Sequence, residues 1–309
     1  MTAFALVFPG QGSQSVGMMS AYEALPAVRA TFEEASDVLG EDLWGLVTDG
    51  PAEQLNRTVN TQPVMLTAGY GLLRAWKEAG GRDPVAVAGH SLGEYTALVA
   101  SGALSFRDAL PLVRFRSQVM QEAVPEGTGA IAAILGLDDD LVRAVCAEAA
   151  CGQVLEAANF NAPNQVVIAG ERSAVERGME LARAKGAKRA VTLPMSAPSH
   201  CSLMHEAAQR LRERLVSTPL QAPRLPALNN VDVAAPVGAA DIRDALVRQL
   251  YRPVRWVECV RELARRGATM VIECGPGAVL TGLNRRIAPE IEAVALKDGA
   301  QLAQLAKAL

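Results

Sequence analysis

The segment Gly89-His90-Ser91-Leu92-Gly93 fits a Gly-x-Ser-x-Gly pattern, and its surroundings restrict the fold more than any other part of the chain. Before it runs the apolar Val85-Ala86-Val87-Ala88, which reads as a buried strand, and after it Leu92–Ser101 reads as a helix. At such a turn the serine is held in a strained conformation, and the flanking glycines let strand and helix backbones close around it. Its hydroxyl then stands at the positive end of the helix, where developing negative charge is stabilised. The pattern predicts a nucleophile elbow, and with it an α/β fold whose chemistry sits at the end of a strand.

The rest of the chain fits that frame. Ala3–Phe8 is an apolar run stopped by Pro9-Gly10, as expected of a buried strand entering a tight loop. Helical spacing covers Pro26–Leu39 and about 62–79, where Met65, Leu66, Gly69, Leu72, Leu73 and Trp76 share a face. A helix over Phe106–Val124 ends at Pro125-Glu126-Gly127, the first subdomain boundary. Then follow a strand (130–135), a helix (139–150), two strands (154–159 and 165–169), a helix (174–185) and a strand (189–193), with Ser173-x-x-Glu176 as a capping box. This β-α-β-β-α-β order is that of a ferredoxin-like unit. It predicts a small subdomain over 127–195, inserted in a large α/β subdomain made of 1–126 and 196–309. Beyond it, helices are expected at about 202–216, 239–250 and 256–266, then a strand at Thr269–Glu273, a Gly275-Pro276-Gly277 turn and further helix.

Composition narrows the chemistry. In 309 residues, 30 Lys and Arg against 33 Asp and Glu give a net charge of −3, which removes the electrostatic case for nucleic acid. The apolar stretch 85–104 carries His90, Glu94 and three glycines and makes a poor membrane span. No Lys or Arg precedes Arg29, so the start lacks the basic region of a signal peptide, and a cytoplasmic protein is expected; separately, a monomer is expected. Cys146, Cys151, Cys201, Cys259 and Cys274 form no Cys-x-x-Cys pair and are expected to be buried small hydrophobes. With three histidines and no His-Glu-x-x-His, no metal site is expected.

A serine hydroxyl needs a base within hydrogen-bond reach. His90 adjoins Ser91, but neighbouring side chains at a sharp turn diverge, so it is assigned a structural role; His205 falls in an amphipathic helix as a surface or capping residue. His200, in the loop Ser196-Ala197-Pro198-Ser199-His200 returning from the insertion, is the candidate base. A Cys201–His200 pair is disfavoured because adjacent side chains rarely meet. An ordinary esterase places its acid and then its histidine late in the chain, whereas here no histidine follows His205.

The sequence resembles the malonyl-CoA:acyl-carrier-protein transacylases, the stand-alone relatives of the acyltransferase domains of fatty-acid and polyketide synthases. The resemblance spans essentially the whole chain. It is carried by Phe8-Pro9-Gly10-Gln11-Gly12-Ser13-Gln14, Thr61-Gln62-Pro63, the elbow through Glu94, and Arg116 ahead of Met120-Gln121-Glu122-Ala123-Val124-Pro125. Asn159-Phe160-Asn161-Ala162-Pro163, Pro198-Ser199-His200 and Glu273-Cys274-Gly275-Pro276-Gly277 complete it.

The resemblance implies an α/β-hydrolase-like large subdomain with a parallel sheet core and the inserted ferredoxin-like one. It implies Ser91 as nucleophile, His200 as base, and Gln249 orienting His200 through its side-chain carbonyl. It places the oxyanion hole at the N–H groups of Leu92 and Gln11, and the substrate-binding residues at Arg116, Met120, Asn159 and Asn161. Arg116 would grip the free malonyl carboxylate through paired hydrogen bonds; charge pattern alone would leave it a solvated neighbour of Arg107 and Arg114. The implied activity is malonyl transfer from malonyl-CoA to holo acyl-carrier protein through a malonyl-serine ester, in fatty-acid biosynthesis, with no cofactor. A polyketide-pathway malonyl or methylmalonyl transferase and an acyl-CoA thioesterase are the alternatives. An acidic carrier would meet a local basic patch, for which Lys185, Lys188, Arg189, Arg285 and Arg286 are candidates.

Overall fold

A computed structural model describes residues 2–125, 127–194 and 197–309. In chain order the elements are β1 (Phe4–Phe8), α1 (Pro26–Leu39), α2 (Leu43–Thr48), α3 (Ala52–Asn56), α4 (Thr58–Glu78), β2 (Ala86–Gly89), α5 (Gly93–Ala100) and α6 (Phe106–Glu122). The insertion contributes β3 (Gly129–Leu135), α7 (Asp139–Ala150), β4 (Leu155–Ala162), β5 (Gln165–Glu171), α8 (Arg172–Ala184) and β6 (Arg189–Thr192). Then come α9 (His205–Val216), β7 (Ala227–Leu228), α10 (Ala239–Gln249), α11 (Trp256–Arg265), β8 (Met270–Glu273), α12 (Val279–Ile287), β9 (Glu292–Ala295) and α13 (Gly299–Ala308).

The large subdomain is built on a parallel sheet of order β7-β2-β1-β8-β9. Its central strand, β1, is buried along its whole length because helices cover both faces. Alternation along the strand sends Phe4, Leu6 and Phe8 into one core with Phe32, Leu66, Trp76, Leu110 and Leu302. Ala5 and Val7 enter the other, with Trp256, Leu263, Leu280 and Leu283. Small Ala5, Ala86 and Ala88 leave that face room for the buried Trp256 indole, whose Nε1–H donates to Asn284 Oδ1 at 3.0 Å. The helices have local causes too. Pro26 opens α1 with its preset φ, Gly40 closes it in the left-handed region at φ 68°, and the Ser105 hydroxyl caps α6 by accepting from Asp108 N at 3.1 Å.

The second sheet is antiparallel with the order β4-β5-β3-β6, the arrangement of a ferredoxin-like unit. Helices α7 and α8 cover one face around Ile134, Phe160, Ile168 and Val175. The other face presents Ile131, Ala133, Ala158, Val167 and Ala169 toward Cys201 in the large subdomain. Backbone bonds lock the two together: Phe160 N donates to Val254 O and Val254 N to Ala158 O, each at 2.9 Å. Glu126, Met195 and Ser196, where the sequence places the subdomain boundaries, lie outside the described residues.

Some expectations need correction. Helix α4 begins at Thr58, before the expected 62, so Pro63 lies inside it. The capping box is not formed: α8 starts at Arg172, and the Ser173 hydroxyl donates to Gln153 Oε1 at 2.9 Å instead. Cys151 is exposed, because it ends α7 in a left-handed turn at φ 49°; the other four cysteines are buried and all five are free. The short α2 and α3 and the strands β7 and β9 were not foreseen. Among the described residues, no helix is long and apolar enough to cross a membrane.

Candidate active site

Ser91 follows β2 and precedes α5 with φ 52°, a left-handed conformation that costs a non-glycine residue roughly 1–3 kcal/mol. The surrounding glycines explain how the strain is accommodated. A Cβ on Gly89 would lie 1.9 Å from the Gly93 carbonyl carbon, and one on Gly93 would lie 2.0 Å from Phe8 O, so no larger residue lets β1, β2 and α5 meet here. Asn230, just beyond β7, ties down the turn: its Oδ1 accepts from Ser91 N, and its Nδ2 donates to Gly89 O, both at 2.8 Å.

His200 reaches the elbow from the loop before α9, itself at φ 65° with its backbone N donating to Leu250 O at 2.8 Å. Its Nε2 lies 2.7 Å from Ser91 Oγ, and its Nδ1 lies 2.7 Å from the backbone carbonyl of Gln249. A carbonyl can only accept, so Nδ1 carries the hydrogen and Nε2 is left with a lone pair facing Ser91 Oγ. Burial, reinforced by the Arg116 charge, pushes the imidazole pKa down to about 3, so the ring is neutral at ordinary pH and its Nε2 lone pair is unprotonated.

This corrects the role assigned to the Gln249 side chain. It is turned away from the imidazole: Oε1 accepts from Arg116 Nη2 at 3.0 Å, and Nε2 donates to Ser91 O at 3.0 Å and to Glu94 Oε2 at 2.8 Å. The side chain leaves the end of α10 in the wrong direction for His200, whereas the helix's terminal carbonyl points at it.

Arg116 is 1% exposed, in contrast to a solvated helix arginine. Nη1 donates to Gln62 Oε1 at 2.7 Å, Nη2 reaches Ser91 Oγ at 3.2 Å, and the guanidinium lies 5.4 Å from the Tyr95 ring. Gln62 continues the chain of contacts, with Nε2 donating to Thr58 Oγ1 at 3.2 Å and approaching Met120 Sδ at 3.7 Å. Thr58 Oγ1 in turn donates to Gln11 Oε1 at 2.9 Å.

Gln11 sits in the loop after β1, whose preceding Gly10 and Pro9 pack closely on two neighbours: a Cβ on Gly10 would lie 2.5 Å from His90 O, and one on Gly275 would lie 2.4 Å from Pro9 Cγ. The Gly275-Pro276-Gly277 turn is braced by Glu273, whose carboxylate accepts from Leu280 N, Thr281 N and Thr281 Oγ1 at 3.1, 2.7 and 2.7 Å. Among the described residues no acceptor meets the N–H of Gln11 or of Leu92.

Gln11, Gln62, Ser91, Leu92, Arg116, Met120 and His200 line one cavity of about 120 Å³, together with His90, Asn159, Asn161, Ser199 and the apolar Ile131, Val167 and Leu193 of the insertion. That volume accepts an acyl group of a few heavy atoms and leaves the body of a coenzyme outside. Asn161 Oδ1 lies 2.7 Å from His90 Nε2, and the His90 ring packs 5.5 Å from Trp256, which fits the structural role assigned to His90. His205 is exposed against Tyr251, and Cys201 is a buried thiol pushed up to about 12 by burial. Among the described residues no group of three or more His, Cys, Asp or Glu is placed to hold a metal.

Residues 5–300 match the acyl transferase domain family. The chain belongs to that family. A "Malonyl CoA-acyl carrier protein transacylase" of Salmonella typhimurium is 54% identical to this acyl transferase over 98% of each chain. The crystal structure of an acyl-carrier-protein S-malonyltransferase from Burkholderia pseudomallei superposes with a TM-score of 0.97 at 59% identity, covering 99% of this chain and 100% of that one. A malonyl-transacylase solved in complex with its type II PKS acyl-carrier protein superposes at 0.98 with 50% identity over the whole of both chains.

Sequence reasoning assigned no role to three residues that hold this acyl transferase site together. Gln62 and Glu94 stand inside motifs quoted for the family resemblance, and only their partners show what they do. Asn230 follows the two-residue strand β7, has no local signature, and meets the elbow across 139 positions of sequence. The basic candidates are all exposed but divided: Lys185, Lys188 and Arg189 lie at the α8–β6 end, and Arg285 and Arg286 lie on α12. Lys185 pairs with Glu148 at 2.7 Å, and Arg286 donates to Gln165 Oε1 at 2.5 Å.

Proposed function

We propose that this chain transfers a malonyl group from malonyl-CoA to the phosphopantetheine thiol of holo acyl-carrier protein by a ping-pong reaction. One observation carries it: Ser91 Oγ lies 2.7 Å from the basic nitrogen of His200 and 3.2 Å from a buried arginine, in a cavity of acyl size. His200 Nε2 takes the Ser91 proton as Oγ bonds to the thioester carbonyl carbon. The N–H groups of Leu92 and Gln11 receive the oxyanion, and Arg116 receives the far carboxylate of the acyl group. The C–S bond then breaks, and the imidazolium returns its proton to the departing CoA sulfur. In the second half His200 deprotonates the carrier thiol, sulfur bonds to the acyl carbon, and the C–Oγ bond breaks with the proton going back to Oγ.

No cofactor enters either half, because a neutral imidazole and the backbone donors suffice for acyl exchange. Met120, Asn159 and Asn161 complete the acyl pocket, Asn161 by holding His90. The enzyme acts in the cytoplasm, in fatty-acid biosynthesis. The structural likeness to a transacylase of a type II PKS carrier supports a polyketide acceptor as the second reading. The test mixes enzyme and malonyl-CoA with and without holo carriers of each pathway. Release of about one equivalent of CoA, resumed on adding a carrier, is expected; sustained release without a carrier would make the enzyme a thioesterase.

A further inference from the structure

Among the described residues no carboxylate lies within salt-bridge distance of Arg116; two neutral amide oxygens hold it, Gln62 Oε1 at 2.7 Å and Gln249 Oε1 at 3.0 Å. A carboxylate does stand one amide further away. Glu94 is 3% exposed, and its Oε2 accepts from Gln249 Nε2 and from Asn230 N, both at 2.8 Å. A primary amide can turn over at nearly constant shape, exchanging its oxygen for its nitrogen. Turned over, Gln249 would face Arg116 with donors, and a guanidinium has only donors to offer in return.

We propose that Glu94 is a positioning residue for acid recognition: beside Ser91 O, which takes one Gln249 amide N–H at 3.0 Å, it accepts the other at 2.8 Å and so keeps the amide oxygen on Arg116, which holds the guanidinium in the cavity while leaving its charge for the substrate. This rests on Arg116 as the carboxylate clamp. Direct Glu–Arg contact would satisfy the guanidinium and set Glu94 in competition with the incoming acid; the intervening amide avoids that. Burial pushes the Glu94 carboxyl up to about 7, yet a protonated carboxyl still has an oxygen free to accept from Gln249. The lock therefore depends on the acceptor atom rather than on the charge.

The test compares kcat/KM for acylation by malonyl-CoA and by acetyl-CoA in wild type, Glu94→Leu, Glu94→Gln, Arg116→Ala and the Glu94→Leu/Arg116→Ala double variant. The malonyl-to-acetyl ratio is expected to fall about tenfold or more in Glu94→Leu, chiefly through the malonyl KM. It should recover in Glu94→Gln, whose amide oxygen can take the place of Oε2, and should fall no further when Glu94→Leu is added to Arg116→Ala. A ratio held in Glu94→Leu while Arg116→Ala collapses it overturns the role of Glu94 and leaves the clamp standing, as does Glu94→Gln being as impaired as Glu94→Leu. No change of ratio in Arg116→Ala overturns the clamp and this proposal together. Should Glu94→Leu fail to fold, Gln249→Leu removes the same amide and keeps the backbone carbonyl on His200; an unchanged ratio there also overturns the proposal.

Discussion

The imidazole of His200 is oriented by the backbone carbonyl of Gln249, at 2.7 Å from Nδ1, while the Gln249 side chain turns to Arg116. A peptide carbonyl cannot be lost by substitution. The Gln249→Ala variant is therefore expected to keep the acid limb of the acylation pH profile where wild type has it, and to lose malonyl affinity as Arg116 loosens. An acid limb that appears between pH 4 and 8 in the variant alone, where single-turnover acylation by wild type stays flat, would mean that the side chain governs the imidazole.

Arg116 meets only neutral oxygens, so a free carboxylate is the strongest partner it can gain. Two charge-assisted hydrogen bonds at about 1.5–3 kcal/mol each make Arg116→Ala lower malonyl transfer by about a hundredfold or more. Acetyl transfer should be retained or improved, since an acetyl group has nothing for the guanidinium to hold. Equal losses for the two donors in parallel kcat/KM measurements would remove the clamp.

The depressed pKa of His200 fixes a pH dependence. Burial and the Arg116 charge lower it from 6.5 to about 3, so the base stays neutral well below pH 6.5 and acylation should hold its rate there. Stability runs with the same sign. The unfolded chain protonates this histidine near 6.5 and the native chain only near 3, so its contribution is full above pH 6.5 and declines as pH falls toward 3. A rate profile with a limb centred on the ordinary histidine value would contradict the buried, neutral base.

The same tertiary contacts show how far the sequence could be read. Strand β1, the elbow, α1 and the order of the inserted unit were legible, because apolar period, proline and glycine punctuation and a strand-turn-helix motif are local signals. His200 was legible by elimination among three histidines. The Gln249 side chain and Glu94 were not, since their meaning lies in contacts across 133 and 155 residues that no periodicity encodes. The two-residue β7 was missed for a similar reason: it is a strand only because β2 pairs with it.

Asn230 is the clearest consequence of that blindness. Its side chain accepts from Ser91 N and donates to Gly89 O, bracing a strained turn from outside. Asn230→Ala leaves both elbow groups without partners and should destabilise the fold by about 1–3 kcal/mol per buried group, with a drop in kcat as Ser91 loses its alignment. Urea unfolding at pH 7 beside single-turnover acylation checks this, and a variant as stable and as fast as wild type would show that the elbow supports itself.

The most direct test is the intact mass of the protein after brief exposure to malonyl-CoA without a carrier. Wild type should gain the mass of one malonyl group, removable by holo carrier, and Ser91→Ala should gain none. An adduct that persists in Ser91→Ala, or malonyl transfer to the carrier with no acyl-enzyme ever trapped, would contradict a serine ester formed with the help of His200.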